Sequence, residues 1–159
     1  MRNTCIILAL LALALAGCGG AKPAATAADS AQEALTVEQN QVWQLVEMRG
    51  RAAKPGYGGQ PTTLVLIPKT GTFSGFASCN RYFGDYTLAL AERRPDGDLY
   101  NVVFTLRGSD SIGCPDPHMN AESRYMAALA KADQLLLTAY TMTLYIKGKE
   151  ILKYEMQEQ

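Results

Sequence analysis

The chain has 159 residues, 48% of them hydrophobic, and its 15 basic side chains equal its 15 acidic ones. That is enough apolar material for the core of one domain. The absence of a basic surplus argues against a nucleic-acid partner, and no run of like charge reads as an interaction tail.

The first residues supply an address. Met1-Arg2 gives a short positive start, residues 6–16 are apolar, and Leu15-Ala16-Gly17 precedes Cys18. This is the pattern of a secretory signal with a small-residue cleavage site. The apolar run falls short of the ~20 residues a spanning helix needs. Leu15-Ala16-Gly17-Cys18 resembles the bacterial lipobox. The resemblance implies removal of residues 1–17, thioether lipidation of the Cys18 sulfur and N-acylation of the new amine, so the membrane itself becomes a partner. Each buried methylene contributes about 0.8 kcal/mol, and several acyl chains anchor stably. Gly19, rather than an aspartate, follows Cys18. Under the sorting rule of Gram-negative lipoproteins, this favours an outer-membrane address facing the periplasm.

Residues 18–36 read as a flexible tether: small, Ala-rich and without a large apolar side chain before Leu35. Such a segment cannot offset its ordering entropy by burial, and its reach is roughly 20–25 Å. A helix over residues 24–34 would be marginal in water for want of an apolar stripe.

The domain is expected over residues 37–159. Residues 42–46 predict the first strand and carry the only tryptophan, Trp43. Residues 49–61 form a Gly/Pro-rich loop. Its Gly56-Tyr57-Gly58-Gly59 lacks the strand-to-helix context of a phosphate loop. Residues 62–67 and 72–77 predict a hairpin around the turn Pro68-Lys69-Thr70-Gly71. Lys69-Thr70-Gly71 also matches a motif of penicillin-recognising serine enzymes, but the Ser-x-x-Lys nucleophile that motif requires is missing. Residues 86–91 predict a strand with Tyr86, Leu88 and Leu90 on one face, and residues 93–98 a turn. Residues 99–106 predict a long strand with Val102, Phe104 and Leu106 on one face. An irregular loop over residues 108–117 carries Cys114. A helix starts at Met119 or Asn120 and places Glu122 in its first turn, where a carboxylate suits the helix dipole. Its stripe of Tyr125, Met126, Leu129 and Ala130 packs on the sheet. Residues 134–138, 142–146 and 151–156 are three closing strands, the last pair joined at Lys147-Gly148-Lys149. The expected fold class is α+β: a strongly curved antiparallel sheet or partly open β-barrel of about eight strands, with one helix packed on it.

Cys5 leaves with the signal and Cys18 carries lipid, so Cys79 and Cys114 remain as an even pair in an oxidising compartment. A disulfide is the favoured reading. Two free thiols, or a metal pair completed by His118, are the alternatives. His118 lacks an evident nucleophile or orienting carboxylate, since Ser111 and Asp116 are only loop neighbours. Asp96 and Asp98 lie in a turn without a metal-loop pattern. No metal and no cofactor is expected.

The segment Gly75-Phe76-Ala77-Ser78-Cys79-Asn80-Arg81-Tyr82-Phe83-Gly84-Asp85-Tyr86 stands between the opening Trp43-Gln44-Leu45 and the later Cys114-Pro115. Glu122 to Leu129 follows, and Tyr140-Thr141-Met142-Thr143-Leu144-Tyr145 comes near the end. Together these residues resemble the META domain, whose members include heat-shock-associated envelope lipoproteins. The resemblance covers about residues 40–156, and its specific part is the core from Cys79 to Tyr86. It departs before Cys114, where Asp110, Ile112 and Gly113 replace the threonine, methionine and alanine often found there. The resemblance implies an α+β fold of this kind and no established catalytic activity or cofactor. It also marks Asn80, Arg81, Tyr82, Gly84, Tyr86, Pro115 and Glu122 as motif residues.

Read as side chains, these have plainer roles too. The Asn80 amide suits tying a turn, and Gly84 suits a bulge or close backbone approach. Tyr82 and Tyr86 fall on the core face with Leu88. Arg81 points to the opposite face and is the better contact candidate. The functional expectation is a monomeric, non-enzymatic envelope lipoprotein acting in stress tolerance through a protein or another envelope component. The alternative is a small-ligand or peptide-binding module, inhibitor-like in one variant, with the loop of residues 49–61 as its tool.

Overall fold

The computed structural model describes residues 41–157, so the expectations for residues 1–36, including lipidation of Cys18, lie outside the described residues. Within them the chain runs β1 (Val42–Met48), β2 (Arg51–Ala52), β3 (Thr63–Ile67), β4 (Thr72–Ala77), β5 (Asn80–Arg94), β6 (Gly97–Ser109), α1 (Asp116–Leu129), β7 (Gln134–Leu137), β8 (Thr141–Ile146) and β9 (Lys149–Met156). The strands pair antiparallel in the order β2-β1-β3-β4-β5-β6-β7-β8-β9, and a further β1–β9 pairing closes the sheet on itself. Because β2 hangs on the end of β1, the ring proper has eight strands. The expected antiparallel barrel with one helix is therefore present, and its ends are zipped together. Apart from the hop over β2, sheet order follows chain order; most connections are short, and the long one from β6 to β7 carries α1.

Two turns are built from left-handed residues. Arg49-Gly50 (φ 52° and 73°) and Lys147-Gly148 (φ 51° and 73°) each make a two-residue hairpin connection. This is the turn type whose twist matches that of paired strands. The Asp133 carboxylate steadies the second by accepting the Lys147 N–H at 2.9 Å.

The interior is filled by large side chains, Trp43, Phe73, Tyr82, Tyr125 and Tyr154 among them, packed with Leu64, Leu66 and Leu152. Val102 and Phe104 are buried and Leu106 packs against the core, as their alternation predicts, while Asn101, Val103 and Thr105 face out. On β4 and β5, Gly75 stands opposite Tyr82 and Gly84 opposite Phe73. A Cβ on Gly75 would clash with the Thr63 carbonyl oxygen and approach the Tyr82 hydroxyl to 2.7 Å; one on Gly84 would meet the Phe73 ring at 2.6 Å. Each glycine thus makes room for an aromatic ring laid across it. The ladder with β6 also shifts register between Phe83 and Gly84, so Gly84 marks both a bulge and a close approach.

The structure corrects several boundaries. β5 starts at Asn80 and reaches Arg94, and β6 spans Gly97–Ser109. The connecting turn shrinks to Pro95-Asp96, which makes Asp98 a buried strand residue. Leu90, expected on the core face, is 46% exposed. The cause is that β4 covers β5 only as far as Asp85, and beyond it β5 keeps β6 alone as a neighbour, with a register shift between Leu90 and Glu92. The helix starts at Asp116, ahead of Met119 or Asn120. Pro115 is the extended cap residue, and Pro117 sits in the first turn, where a missing N–H costs no helical hydrogen bond. Glu122 therefore lies beyond the first turn. Ala128, not Ala130, joins Tyr125 and Leu129 on the buried face. α1 touches both β4 and β9, strands that are not neighbours in the ring, and so lies over an end of it.

Candidate functional site

The motif folds into a joint. The β4–β5 hairpin turns through Ser78 and Cys79, since Ala77 pairs with Asn80. Cys79 N–H donates to the Ala77 carbonyl at 2.8 Å, and Ser78 between them has φ 67°. A three-residue turn with positive φ at its centre is rare and strained for a residue with a side chain. It persists because its neighbours hold it from several sides. The Ser78 carbonyl accepts the Tyr57 N–H at 2.6 Å, strapping residues 49–61 over the turn. Cys79 is bonded to Cys114 in a disulfide with Cα atoms 6.1 Å apart, so the free-thiol and metal readings fall away.

Asn80 is tied at every polar atom of its side chain. Its Oδ1 accepts the Ile112 N–H at 2.9 Å and its Nδ2 donates to the Ile112 carbonyl at 3.3 Å, so the amide pairs with a loop residue as a strand would. Its backbone N–H donates to Glu122 Oε2 at 2.8 Å and its Nδ2 to the same oxygen at 3.1 Å. Both residues are buried. Four chain segments meet here: the β4–β5 turn, the strap, residues 110–115 and α1. Pro115 caps α1 beside Cys114, and Arg81 points outward and is exposed.

A second tie runs through the core. Tyr82 OH donates to the Thr63 carbonyl at 2.8 Å, and Tyr154 OH donates to Tyr125 OH at 3.0 Å. Tyr82 and Tyr125 hydroxyls are 2.6 Å apart. With one proton per hydroxyl, all three contacts are bonds only if Tyr125 donates to Tyr82. The chain is then Tyr154 to Tyr125 to Tyr82 to the Thr63 carbonyl. Burial pushes the Tyr125 hydroxyl up to about 12. Burial first, then the neighbouring Tyr125, raises Tyr82 and Tyr154 well above the ordinary value of 10. Tyr86 is buried as expected but stands outside this chain, against Phe104.

Beside the joint lies an open groove of about 960 Å³ between the strap and α1. Ser78, Thr62 and Tyr125 reach it from the joint and the core, and Leu45 and Met48 line it from β1. Its charges all have one sign: Arg49, Arg51 and Lys54 come from the strap side and Arg124 from α1, and no acidic residue among the described ones lines it. None of these four cations has a carboxylate partner among the described residues. The His118 ring stands at one end, edge-on to Tyr57 at a centroid distance of 5.7 Å. His118 thus lies on the first turn of α1, not in a loop, and its ring bonds no carboxylate among the described residues. Sequence reasoning missed this groove. Its one available signal was three cations within residues 49–54, a stretch free of acid.

These features define a class of protein: a small closed antiparallel barrel, one helix across its end, with a disulfide-braced hairpin joining the two. The META domain model matches residues 33–159, and the chain belongs to that family. A protein from Burkholderia xenovorans, solved by NMR, is 27% identical with a TM-score of 0.55, over 76% of this chain and 84% of that one. A second NMR structure is 23% identical, with a TM-score of 0.51 over 77% of this chain and 95% of that one. The crystal structure of a DUF4847 family protein from Bacteroides vulgatus is 14% identical, with a TM-score of 0.51 over 74% of this chain and 93% of that one. The last two share the fold alone. No curated protein matches the chain.

Proposed function

We propose that the chain is a lipid-anchored protein of the bacterial envelope whose META domain works by binding rather than catalysis. It contacts a protein or another envelope component in the service of stress tolerance. The observation that carries the reading is the groove: unpaired charge of one sign, walled by elements that the joint holds in place. The lipobox supports the anchor, and the family resemblance supports the stress role. The non-enzymatic reading draws on the polar chemistry. Tyr82, Tyr125 and Tyr154, the hydroxyls that burial shifts furthest, are sealed in the core. His118 meets the Tyr57 ring, and no carboxylate among the described residues orients it.

A small ligand inside the ring is the second reading. The interior is filled by Trp43, Tyr82, Tyr125 and Tyr154, each less than 2% exposed, so such a ligand would use the groove instead.

The test is made in cells. Wild-type protein should take up a palmitate analogue and fractionate with membranes, and Cys18→Ala should do neither. A deletion strain should lose tolerance to heat or drugs, wild type and His118→Ala should restore it, and Arg51→Glu with Arg124→Glu should not. A deletion that leaves tolerance and envelope integrity unchanged removes the stress role. A His118→Ala protein that still binds its partner but fails to complement points instead to a hydrolase centred on that residue.

A further inference from the structure

The groove has a backbone wall as well as a charged one. β2 is the last strand in the sheet order, with β1 on one side and the groove on the other. The closing pair of its hairpin is Met48–Arg51, the next pair is Glu47–Ala52, and Ala53 N–H donates to the Val46 carbonyl at 2.8 Å. In an antiparallel ladder, bonded and non-bonded pairs alternate. The N–H and C=O of Ala52 therefore face away from β1, and neither has a backbone partner among the described residues. Ala52 is exposed and lines the groove. Across from it, α1 presents Ala121 and Ala127, which leave room for a chain to lie between helix and strand.

Resting on the reading of the domain as a binding module, we propose that this groove takes an extended acidic segment of a partner protein, which adds as a strand to the free edge of β2. Main-chain bonds to Ala52 hold the segment, and its alternate side chains reach the cations on both walls, a division of labour seen wherever an edge strand recruits a peptide. Arg49, Arg51 and Lys54 stand on one side and Arg124 on the other, with no acid between them among the described residues. About five extended residues span ~17 Å. A planar membrane surface is the poorer fit, because it meets the rims of a trough and leaves the Ala52 amide untouched.

The experiment uses the full lipidated chain in neutral detergent. The probe is a capped six-residue peptide of alternating Glu and Val, with its Lys-Val twin as control. The Glu peptide is expected to bind and the Lys peptide not. Binding should weaken at least about tenfold in Arg51→Glu or Arg124→Glu, fall with added salt, and survive Lys69→Glu on a distant turn. Exchange of the Ala52 amide proton should slow on binding. Undiminished binding in the charge reversals overturns the proposal. So does binding without Ala52 protection, or displacement of the peptide by phosphatidylglycerol vesicles that are themselves bound more tightly. A photo-crosslinker at Ala127 in cells separates the two levels. Adducts formed by a chain that ignores the peptide leave the binding-module reading standing and refute the strand; silence in both removes both.

Discussion

Asn80 and Glu122 are joined at two points of one residue: the Glu122 carboxylate takes both the backbone N–H and the side-chain amide of Asn80. Neither bond meets water readily, because both residues are buried. Removing the carboxylate would strand two donors. Glu122→Ala is expected to cost about 1–3 kcal/mol, the usual penalty for buried donors left unmade. Glu122→Gln keeps one acceptor and should cost less. Urea unfolding of the two variants, set against wild type, checks the order.

The Cys79–Cys114 bond closes a separation of 35 residues. The chain-entropy estimate for a loop of that size is about 3–4 kcal/mol. The double variant Cys79→Ala with Cys114→Ala should lose that much, and reductant should lower the unfolding midpoint of wild type but not of the variant.

The tyrosine chain predicts alkaline fragility. A hydroxyl raised in the folded state contributes stability fully while both states are protonated, below the ordinary value of 10. That contribution drains as pH climbs from there through about 12 for Tyr125. Denaturant midpoints measured across this window should fall steeply. Tyr125→Phe should show a shallower fall and a loss of about 1–2 kcal/mol at neutral pH, since the Tyr154 hydroxyl then lacks its acceptor.

Gly75 is expected to tolerate no side chain. Gly75→Ala drives a methyl into the Thr63 carbonyl and the Tyr82 ring and should cost about 1–3 kcal/mol. Gly50→Ala, at φ 73° with open space around it, should cost only about 1 kcal/mol from backbone conformation. Thermal unfolding of the pair distinguishes a packing clash from a conformational cost.

Much of the barrel was legible because period-two patterning is a local signal. Val102, Phe104 and Leu106 announce their strand and its inner face without any partner. The ends of β5 and β6 were not legible. There β5 outruns the strand that covers it, and Arg93 and Arg94 read as turn residues although they are paired. The start of α1 hid behind Pro115 and Pro117, which look like a break and act as an entry. The disulfide followed from counting cysteines and from compartment. The bond from Asn80 to Glu122 had no such route, because its partners are 42 residues apart and nothing local marks them as a pair. The groove is harder still to see: Lys54 and Arg124 share it only after the ring closes and lays the helix beside the strap.

The closure of the ring also determines how the domain bears a load. β1 is held along one side by β9 and along the other by β3, then β2, and its two ends differ. β1 begins at Val42, where Gln157 N–H also donates to the Val42 carbonyl at 2.9 Å, while the groove draws on Leu45, Met48 and Arg49 toward the other end. A cargo pulling on the groove against an anchor pulling at Val42 would stretch β1 along its own axis. The pull would then pass along the covalent backbone of β1, and the hydrogen bonds on both flanks would hold the strand in place without carrying the load.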